Sequence, residues 1–556
     1  MEHQGPGPAA ATSEPSDLQW FGHPRGLSTL FFTEMWERFS YYGMRALLIL
    51  FMTAAVAQQN PGLGFDEATA GAVYGLYTSM VYLLTLPGGW IADKLWGQRR
   101  AVFVGGCIIA LGHFTLAAPM VGDLYPEPDA GDDESRREEW GARRDAAFSL
   151  FYMGINIGAV LGPFVCSSLG EGLETPWFDL AGNWHLGFSA AGFGMILGLI
   201  QYRLGDRYLG RAGLFRTDDP PQVVSRRSRN FLLATGVAAA VVILIVWLLV
   251  SGALGLSLET FATWVGYGIL LVSILFFAYL IFGTGLAAGL GVLFVALSAA
   301  LPALRPGMTA VAGGQWAILV TLGVFILANV GLLAAKRGEG GVSVEKQRMM
   351  VIFWLFLLAA IFWSGFEQAG SSLNLFARDL TDRTLLGWEV PAGWLQNVNP
   401  FFIIVLAPVF GYLWTWLAHR NRNPSIPMKF ALGLLGLSAG FFVIMWGASN
   451  ASPESGASMA WLVATYFLFT CGELALSPVG LSSMTKLAPP GRLGQMMGVW
   501  FIATALGNLF AGLVAGRLET LPAQTLFFNV ALFVGLAGLF ALLLSPFVKR
   551  LTGGIR

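Results

Sequence analysis

The sequence predicts an all-α polytopic membrane protein. Of its 556 residues, 55% are apolar and 12% are charged, which is about half the charged fraction usual for a soluble domain. The mean hydropathy is +0.63, and many apolar runs have the roughly 20 residues that a helix needs to cross a bilayer. These runs are continuous, whereas the strands of an outer-membrane barrel alternate apolar and polar side chains.

Hydropathy and loop charge together predict fifteen apolar segments. In chain order they are 27–55, 68–92, 101–120, 146–168, 185–203, 231–252, 263–283, 285–303, 313–335, 350–370, 394–418, 428–447, 458–484, 494–516 and 524–547. The residues before them are rich in Pro, Gly, Ala and Ser and lack the basic start and apolar run of a cleaved signal, so residues 1–26 are expected to form a disordered tail.

Composition and motifs exclude several classes of protein. The chain has 33 basic and 33 acidic residues, so no basic excess is available to bind nucleic acid. Its three cysteines lie in separate apolar runs without metal-ligand spacing, so neither a disulfide nor a metal site is expected. The sequence contains no GxxxxGK[ST], HExxH or GxSxG motif, which argues against an ATP-driven pump or a membrane hydrolase. An enzyme is therefore not expected.

Lysine and arginine set the orientation of the segments, because short cytoplasmic loops carry the excess of positive charge. Loops without either residue, expected outside, are 56–67, 169–184, 253–262 and 448–457; loops expected inside are 94–100, 203–229, 336–348, 420–429, 486–492 and the tail from 549. Loops 94–100 and 169–184 must be separated by an odd number of crossings, yet only two segments lie between them. Residues 121–145 are too charged to supply the third.

The first segment carries charges that are costly in lipid. Glu34, Glu37, Arg38 and Arg45 lie within it, and each costs about 2.5–3.5 kcal/mol to insert at mid-membrane. Glu34, Arg38, Tyr41 and Arg45 follow a spacing of i, i+4, i+7 and i+11 on one helix face, with Glu37 and Tyr42 beside it. This stripe indicates a transport site; the alternative is an internal ion pair that only orients helices.

Two further acids lie in later segments. Glu367 and Glu473 are in helices interrupted by Gly, Ser or Pro, where broken backbone hydrogen bonding leaves room for a cavity. Nearby polar and aromatic residues are Tyr77, Tyr82, Asn156, Trp363, Gln396, Asn399 and Trp500; any single Tyr or Trp is more often a packing or interfacial residue. Buried acids opposite arginine can change charge as the cavity fills, which is typical of a proton-coupled carrier.

These residues carry a family resemblance. EMWERFSYYG at 34–43 is similar to the ExxERFxYYG signature of the proton-dependent oligopeptide transporter family, within the major facilitator superfamily. Further resemblances are GGWIADKLWGQRR with the loop-motif Asp93, FYMGINIG, FWSGFEQAGSSLN, QNVNP, GELALSPVGLS and MMGVWFIATALGN. Residues of roughly 231–335 lie outside the shared pattern.

The resemblance implies two helix bundles around a central cavity that work by alternating access. It implies an N-terminal bundle at 27–204, a linker with extra membrane helices at 205–345, a C-terminal bundle at 346–548 and a tail at 549–556. The expected substrates are di- and tripeptides, which are taken up together with protons. The protein itself is expected in the inner membrane of the cell, surrounded by lipid. No cofactor is expected, because the proton gradient supplies the energy.

Residue roles follow from the same resemblance. Proton coupling is assigned to Glu34, Glu37, Arg38 and Glu367, and Arg45 is the expected ligand of the peptide carboxylate and partner of Glu367. Glu473 with Asn156 and Asn399 is assigned to the peptide amino group, and the side-chain pockets are assigned to Tyr41, Tyr42, Tyr82, Trp363 and Trp500.

The sequence departs from the family between Met120 and Asp123. Members have a fourth helix there with a Gly-x-Phe-Lys-Pro-Asn stretch, whose Lys binds the peptide carboxylate and pairs with the acid that Glu473 resembles. The missing crossing found from loop charge lies at the same place. Either the printed sequence omits a segment, or the chain is a natural variant that has lost it, or segment 101–120 re-enters the membrane instead of crossing.

Two other functions stay open from the sequence. One is proton-coupled transport of another small solute, such as nitrate or an organic anion. The other is a non-transporting sensor or scaffold, for which the missing helix would be the motive. Glu473 favours peptides, since a free ammonium needs a counter-ion and an anion does not.

Overall fold

The computed structural model describes residues 18–110, 134–210, 212, 214, 219–253, 255–305, 307–335, 342–451, 455–489 and 492–553. The described chain is helical apart from short strand pairs. Its helices are α1 Gly26–Thr53, α2 Glu67–Leu83, α3 Thr85–Ile91, α4 Gln98–Ala110, α5 Glu134–Gly170, α6 Trp184–Gly205, α7 Pro221–Val250, α8 Leu258–Phe282, α9 Thr284–Leu304, α10 Ala310–Ala335, α11 Val344–Phe366, α12 Ser372–Asp379, α13 Val398–His419, α14 Ile426–Ser449, α15 Met459–Leu487, α16 Leu493–Ala515 and α17 Ala523–Leu551.

The predicted all-α membrane fold is confirmed. Eleven helices in the described part of the chain are long and apolar enough to cross a membrane, and they correspond to eleven of the fifteen predicted segments. The other four segments, 27–55, 68–92, 101–120 and 185–203, are also largely helical where they are described.

Segment 68–92 was predicted as one helix, and this is wrong in detail. Helix α2 ends at Leu83, α3 follows from Thr85 to Ile91, and a π-helical turn covers Ala92–Trp96. The cause is Pro87, whose ring clashes with the carbonyl four residues earlier, at Leu83. At the other end of α2, Asp66 accepts a hydrogen bond from the Thr69 N–H at 2.6 Å, which lowers the pKa of the Asp66 carboxyl.

Helix α5 begins earlier than predicted. The charged run was expected to continue as a loop to residue 145, but the helix starts at Glu134. Residues 134–145 are rich in Glu and Arg, which have high helix propensity. The place of the missing crossing, between Met120 and Asp123, lies outside the described residues.

Residues 18–26, expected in a disordered tail, form a strand pair and the start of α1. Strands β1 (Leu18–Trp20) and β2 (His23–Pro24) pair antiparallel, with Phe21 and Gly22 at positive φ in the turn. Trp20 packs on Phe31 of α1 with ring centroids 5.3 Å apart. Aromatic burial therefore orders residues that composition alone places in a disordered tail.

The chain forms two compact units. Unit 1 comprises 1–41, 88–159 and 191–227, and unit 2 comprises 42–87, 160–190 and 228–556. The core of unit 1 is built from Leu27, Leu30, Val102, Phe151, Tyr202 and Leu209. In unit 2, Phe441, Phe469 and Phe527 form an aromatic centre where α14, α15 and α17 meet, with ring centroids 4.9 Å and 6.2 Å apart.

Two β-hairpins and one parallel strand pair lie between the helices of unit 2. Strands β3 (Gly172–Thr175) and β4 (Phe178–Ala181) pair antiparallel between α5 and α6. After α12, β5 (Thr381–Asp382) pairs in parallel with β8 (Ala457–Ser458), and β6 (Thr384–Leu385) pairs antiparallel with β7 (Trp388–Glu389).

The linker helices differ in how they pack. Helix α8 lies against α2 and α16, where Ala72, Ala262 and Leu509 form one buried cluster, and Glu259 forms an ion pair with Arg517 at 3.0 Å. Helix α7, by contrast, has no buried residue in its apolar span, Gln222–Leu249. Helices are thus present in the predicted linker, and α8 packs against α2 and α16.

Candidate functional site

The acidic end of the charged stripe forms one ion-pair group in unit 1. The Arg38 Nε lies 2.8 Å from Glu34 Oε1 and 3.1 Å from Glu37 Oε2. The side chains of Glu34 and Glu37 are 3% and 8% exposed, whereas that of Arg38 is 23% exposed. One partly accessible cation therefore pairs with two buried carboxylates, so this group has one acid more than it has bases.

Close packing of α5 against α1 holds this group in place. A Cβ at Gly158 would lie 2.1 Å from the Met35 carbonyl oxygen and 2.9 Å from Arg38 Cβ, and one at Gly154 would lie 2.9 Å from the Phe31 carbonyl oxygen. The two glycines of the GINIG motif thus allow backbone contact at one-turn spacing. Asn156, between them on α5, is also buried in unit 1.

The other end of the stripe reaches a different acid, in unit 2. Arg45 forms an ion pair with Glu367 through its Nη2, and its Nε donates to the Tyr74 hydroxyl at 2.6 Å. Arg45, Glu367 and Tyr74 are all buried. The predicted pairing of Arg45 with Glu367 is therefore confirmed, and it joins residues 322 positions apart in the sequence.

An interruption of the helix after α11 places Glu367 beside Arg45. Helix α11 ends at Phe366, a 3-10 turn covers Glu367–Gly370, and α12 starts at Ser372. At Gly370, a Cβ would lie 1.9 Å from the Tyr74 hydroxyl and 2.7 Å from Arg45 Nε. Glycine is required there, because any side chain would displace both polar groups.

Glu473 lies in a third polar group. Asn399 Nδ2 donates to Glu473 Oε2 at 3.2 Å and to Thr470 Oγ1 at 3.0 Å. Helix α15, which carries Glu473, contains Pro478, and α13 begins directly before Asn399, at Val398. The structure thus brings together Glu473 and Asn399, two of the three residues assigned to the peptide amino group.

The predicted aromatic residues divide by burial. Trp363 and Trp500 are buried in unit 2, where Trp500 packs edge-on against Phe430 at 6.4 Å. Tyr42, half-buried, has its ring centroid 5.9 Å from the Arg45 guanidinium carbon. Tyr82 is also half-buried, whereas Tyr41 is buried in unit 1.

Two assignments are not settled by this geometry. Asn156 lies in unit 1 and Glu473 in unit 2, so their joint role stays a prediction. The backbone of Asp93 lies in the π-helical turn Ala92–Trp96, and its side chain lies outside the described residues. No cluster of three or more metal-binding side chains occurs in the described part of the chain.

Sequence reasoning missed Tyr74 and Thr470. It selected Tyr77 and Tyr82 from the same YGLYTSMVY run and left out Tyr74, whose hydroxyl accepts a hydrogen bond from Arg45 Nε. Tyr74 precedes Tyr77 by three positions and Tyr82 by eight, so helical spacing alone puts all three near one face. The hydrogen bond between Tyr74 and Arg45 depends on how α2 packs beside α1, which no sequence motif indicates.

A family comparison decides where the chain belongs. The model of the POT family matches residues 72–242 and 341–552. The chain belongs to the POT family. The match leaves out residues 243–340, which contain α8, α9 and α10. This unmatched stretch overlaps residues 231–335, which the sequence analysis places outside the shared pattern.

Curated relatives match almost the whole chain. The peptide transporter YePEPT of Yersinia enterocolitica is 35% identical over 581 residues, with 97% of this chain and 98% of the relative covered. The uncharacterized transporter YclF of Bacillus subtilis is 34% identical, with 96% of each chain covered. A di-/tripeptide transporter of Lactococcus lactis is 30% identical, with coverage of 97% and 99%.

Solved structures give the same fold. A peptide transporter POT in complex with sulfate has a TM-score of 0.71 and 32% identity, with 96% of each chain covered. A POT family transporter in complex with a thioalcohol-conjugated peptide has a TM-score of 0.70 and 28% identity, with coverage of 96% and 98%. The chain is thus a multi-pass membrane transporter of the major facilitator type rather than an enzyme. Its location is the inner membrane of a bacterium, as the sequence predicts.

Proposed function

We propose that this chain is a proton-coupled symporter that takes up di- and tripeptides by alternating access. Relatives that match it over 97% of its length are named as peptide or di-/tripeptide transporters. The relevant structures include a complex with a peptide conjugate. The proposal extends that substrate class to this chain, with a membrane proton gradient as the energy source and no cofactor.

The buried pair of Arg45 and Glu367 carries the proposal. Arg45 has two partners, a carboxylate on Glu367 and a hydroxyl on Tyr74, and guanidinium binds carboxylates through several N–H donors. A peptide carboxylate that bound Arg45 would compete with Glu367 for those donors. A buried carboxylate that loses its cation favours its protonated form, so substrate binding and proton binding would be coupled.

The peptide amino group is assigned to Glu473. An ammonium group needs a negative counter-ion in a site of low dielectric constant. Glu473 has one oxygen bonded to Asn399, and the remaining oxygen has the charge and lone pairs to accept from an ammonium. Asn156 is the proposed third member of this subsite.

Glu34, Glu37 and Arg38 form the proposed proton-coupling group, together with Glu367. Two carboxylates share a single guanidinium, so one of them can accept a proton while the other keeps the ion pair. Pockets for the peptide side chains are proposed to include Tyr41, Tyr42, Tyr82, Trp363 and Trp500, with Asp93 in the cytoplasmic loop motif.

We further propose that one crossing is missing between Met120 and Asp123. Loop charge requires an odd number of crossings between 94–100 and 169–184, and family members have a lysine-bearing helix at that place. Without it, Glu473 would lack a lysine partner and the N-terminal bundle would have five helices. Transport by the chain as printed is then expected to be impaired.

Proton flux into liposomes tests the proposed function. Purified protein is reconstituted with a pH gradient, and acidification of the lumen is followed with and without dialanine. Flux that depends on dialanine supports peptide symport. Flux that depends on nitrate or an organic anion instead would assign the other carrier function. Absence of both, also after a helix carrying Phe-Lys-Pro-Asn is inserted between Met120 and Asp123, would favour a sensor or scaffold.

A further inference from the structure

A carboxylate outside the membrane spans joins two helices of unit 2. Glu171 follows the last residue of α5, and its two oxygens accept hydrogen bonds from the backbone N–H groups of Ala392 and Gly393 at 2.8 Å and 2.9 Å. Residues 392–397 form the 3-10 turn that leads directly into α13. The Glu171 side chain therefore binds the start of a span that is 221 residues away in the sequence.

A tryptophan reinforces the same junction. Trp394 Nε1 donates to the Phe164 carbonyl oxygen at 3.0 Å and lies 3.1 Å from Ser168 Oγ, both on α5. Its ring stacks on Phe164 with centroids 4.3 Å apart and an interplanar angle of 28°. The contact between residues 164–171 and 392–394 thus combines two hydrogen bonds to a carboxylate, an indole hydrogen bond and a ring stack.

The backbone around this junction leaves no spare room. At Gly393, a Cβ would lie 2.0 Å from Ser167 Oγ and 3.0 Å from Glu171 Oε1. On the other side, Asn60 Nδ2 donates to the Gly170 carbonyl oxygen at 2.7 Å, which fixes the residue before Glu171. The residue before Glu171 is thus held by Asn60, and the close approach of Glu171 to residue 393 depends on glycine at that position.

The junction lies at the external ends of the helices it joins. Glu171 belongs to loop 169–184, which contains no Lys or Arg and is therefore expected outside. Helices α5 and α13 belong to the N-terminal and C-terminal halves of the chain. Alternating access requires the external ends of the two halves to separate once in each cycle, so these bonds must break and re-form.

We propose that Glu171 and Trp394 form an external latch, which holds α5 to the 3-10 turn before α13 and sets how readily the transporter opens outward. The latch rests on the proposed transport function only through alternating access, and it holds whichever solute is carried. Glu171 and Trp394 are positioning residues, since neither belongs to the groups assigned to substrate or proton binding.

Distance measurement between the two external hairpins tests the latch. Spin labels are attached at Trp177→Cys and Leu386→Cys, which lie at the tips of the β3–β4 and β6–β7 hairpins and are each 88% exposed. The three native cysteines are replaced by alanine, and pulsed electron resonance is recorded on the full chain in nanodiscs without substrate. Glu171→Ala removes the charged acceptor of two hydrogen bonds, so it is expected to raise the ratio of open to closed distances roughly ten-fold or more.

Three variants and one control keep the result interpretable. Gly393→Ala should raise the open fraction without changing charge, and Trp394→Phe should raise it less, because the ring stack remains. Glu174→Ala removes an exposed carboxylate three residues beyond Glu171 and should match the parent chain. Size-exclusion profiles identify any variant that fails to fold, and the remaining variants then decide.

The latch is overturned if folded Glu171→Ala and Gly393→Ala both keep the parent distance distribution. It is also overturned if Glu174→Ala opens the hairpins as much as Glu171→Ala does. Peptide uptake is measured separately on the same proteins. Unchanged distances with normal uptake reject the latch alone, whereas an opened latch with no response to any peptide rejects the proposed substrate and leaves the latch in place.

Discussion

Replacement of Glu473 by glutamine should separate recognition of the peptide amino group from binding in general. Asn399 Nδ2 donates to Glu473 Oε2 at 3.2 Å, and a glutamine amide oxygen can keep that bond while the negative charge is lost. A hydrogen bond to a charged partner contributes about 1.5–3 kcal/mol. Glu473→Gln is therefore expected to weaken dialanine binding roughly 10- to 150-fold.

Isothermal titration with two ligands isolates the effect. N-acetyl-dialanine lacks the ammonium, so Glu473→Gln should change its affinity by less than about three-fold, well below the loss of one charged hydrogen bond. Asn399→Ala serves as the matched variant, because it removes the bond to Glu473 and leaves the charge. Equal losses for dialanine and acetyl-dialanine would show that Glu473 acts on cavity shape, and the assignment to the amino group would be wrong.

Three further changes address the other groups. Glu37→Gln keeps side-chain shape but cannot bind a proton, so it should abolish uphill uptake in liposomes while peptide-for-peptide exchange continues; uphill uptake at the parent rate would remove Glu37 from coupling. Gly370→Ala should destabilise the protein by about 1–3 kcal/mol through overpacking against Arg45, measured as a lowered Tm beside Gly192→Ala, where a Cβ meets nothing within 4 Å. Insertion of a helix carrying Phe-Lys-Pro-Asn between Met120 and Asp123 should restore peptide uptake and make loop 121–145 accessible to a cytoplasmic thiol reagent at an introduced cysteine; full uptake by the unmodified chain with that loop inside would contradict the missing crossing.

Charged residues in lipid were the strongest sequence signal for the site. The cost of burying a charge is large enough that Arg45 and Glu367 each needed a partner, and each is the other's. The same reasoning grouped Glu34 and Glu37 with Arg38. Where burying a charge is energetically costly, its presence in an apolar run predicts that the side chain has a charged partner.

Contacts that depend on helix register or on backbone groups could not be read in this way. Tyr74 bonds to Arg45 only because α2 packs at one particular depth beside α1. The acceptors of Glu171 are backbone N–H groups, which every residue except proline has, so no side-chain pattern announces the contact. The helical start of α5 at Glu134 depended on propensity, which hydropathy ignores.

The external latch also responds to acid, and the sign of that response has a consequence for energy coupling. Burial raises the pKa of Glu171 above the ordinary range, although the N–H groups of Ala392 and Gly393 and the nearby Arg383, itself paired with Glu389, lower it. A state with a raised pKa binds a proton more readily than an open, hydrated one, so falling external pH shifts the equilibrium toward closure as it passes through the raised pKa. In the same spin-label experiment, the closed fraction should therefore rise as the external pH falls through the raised pKa of Glu171. An acidified exterior then stabilises the closed latch instead of opening it. The free energy that favours outward opening therefore has to come from the emptied binding site within the membrane.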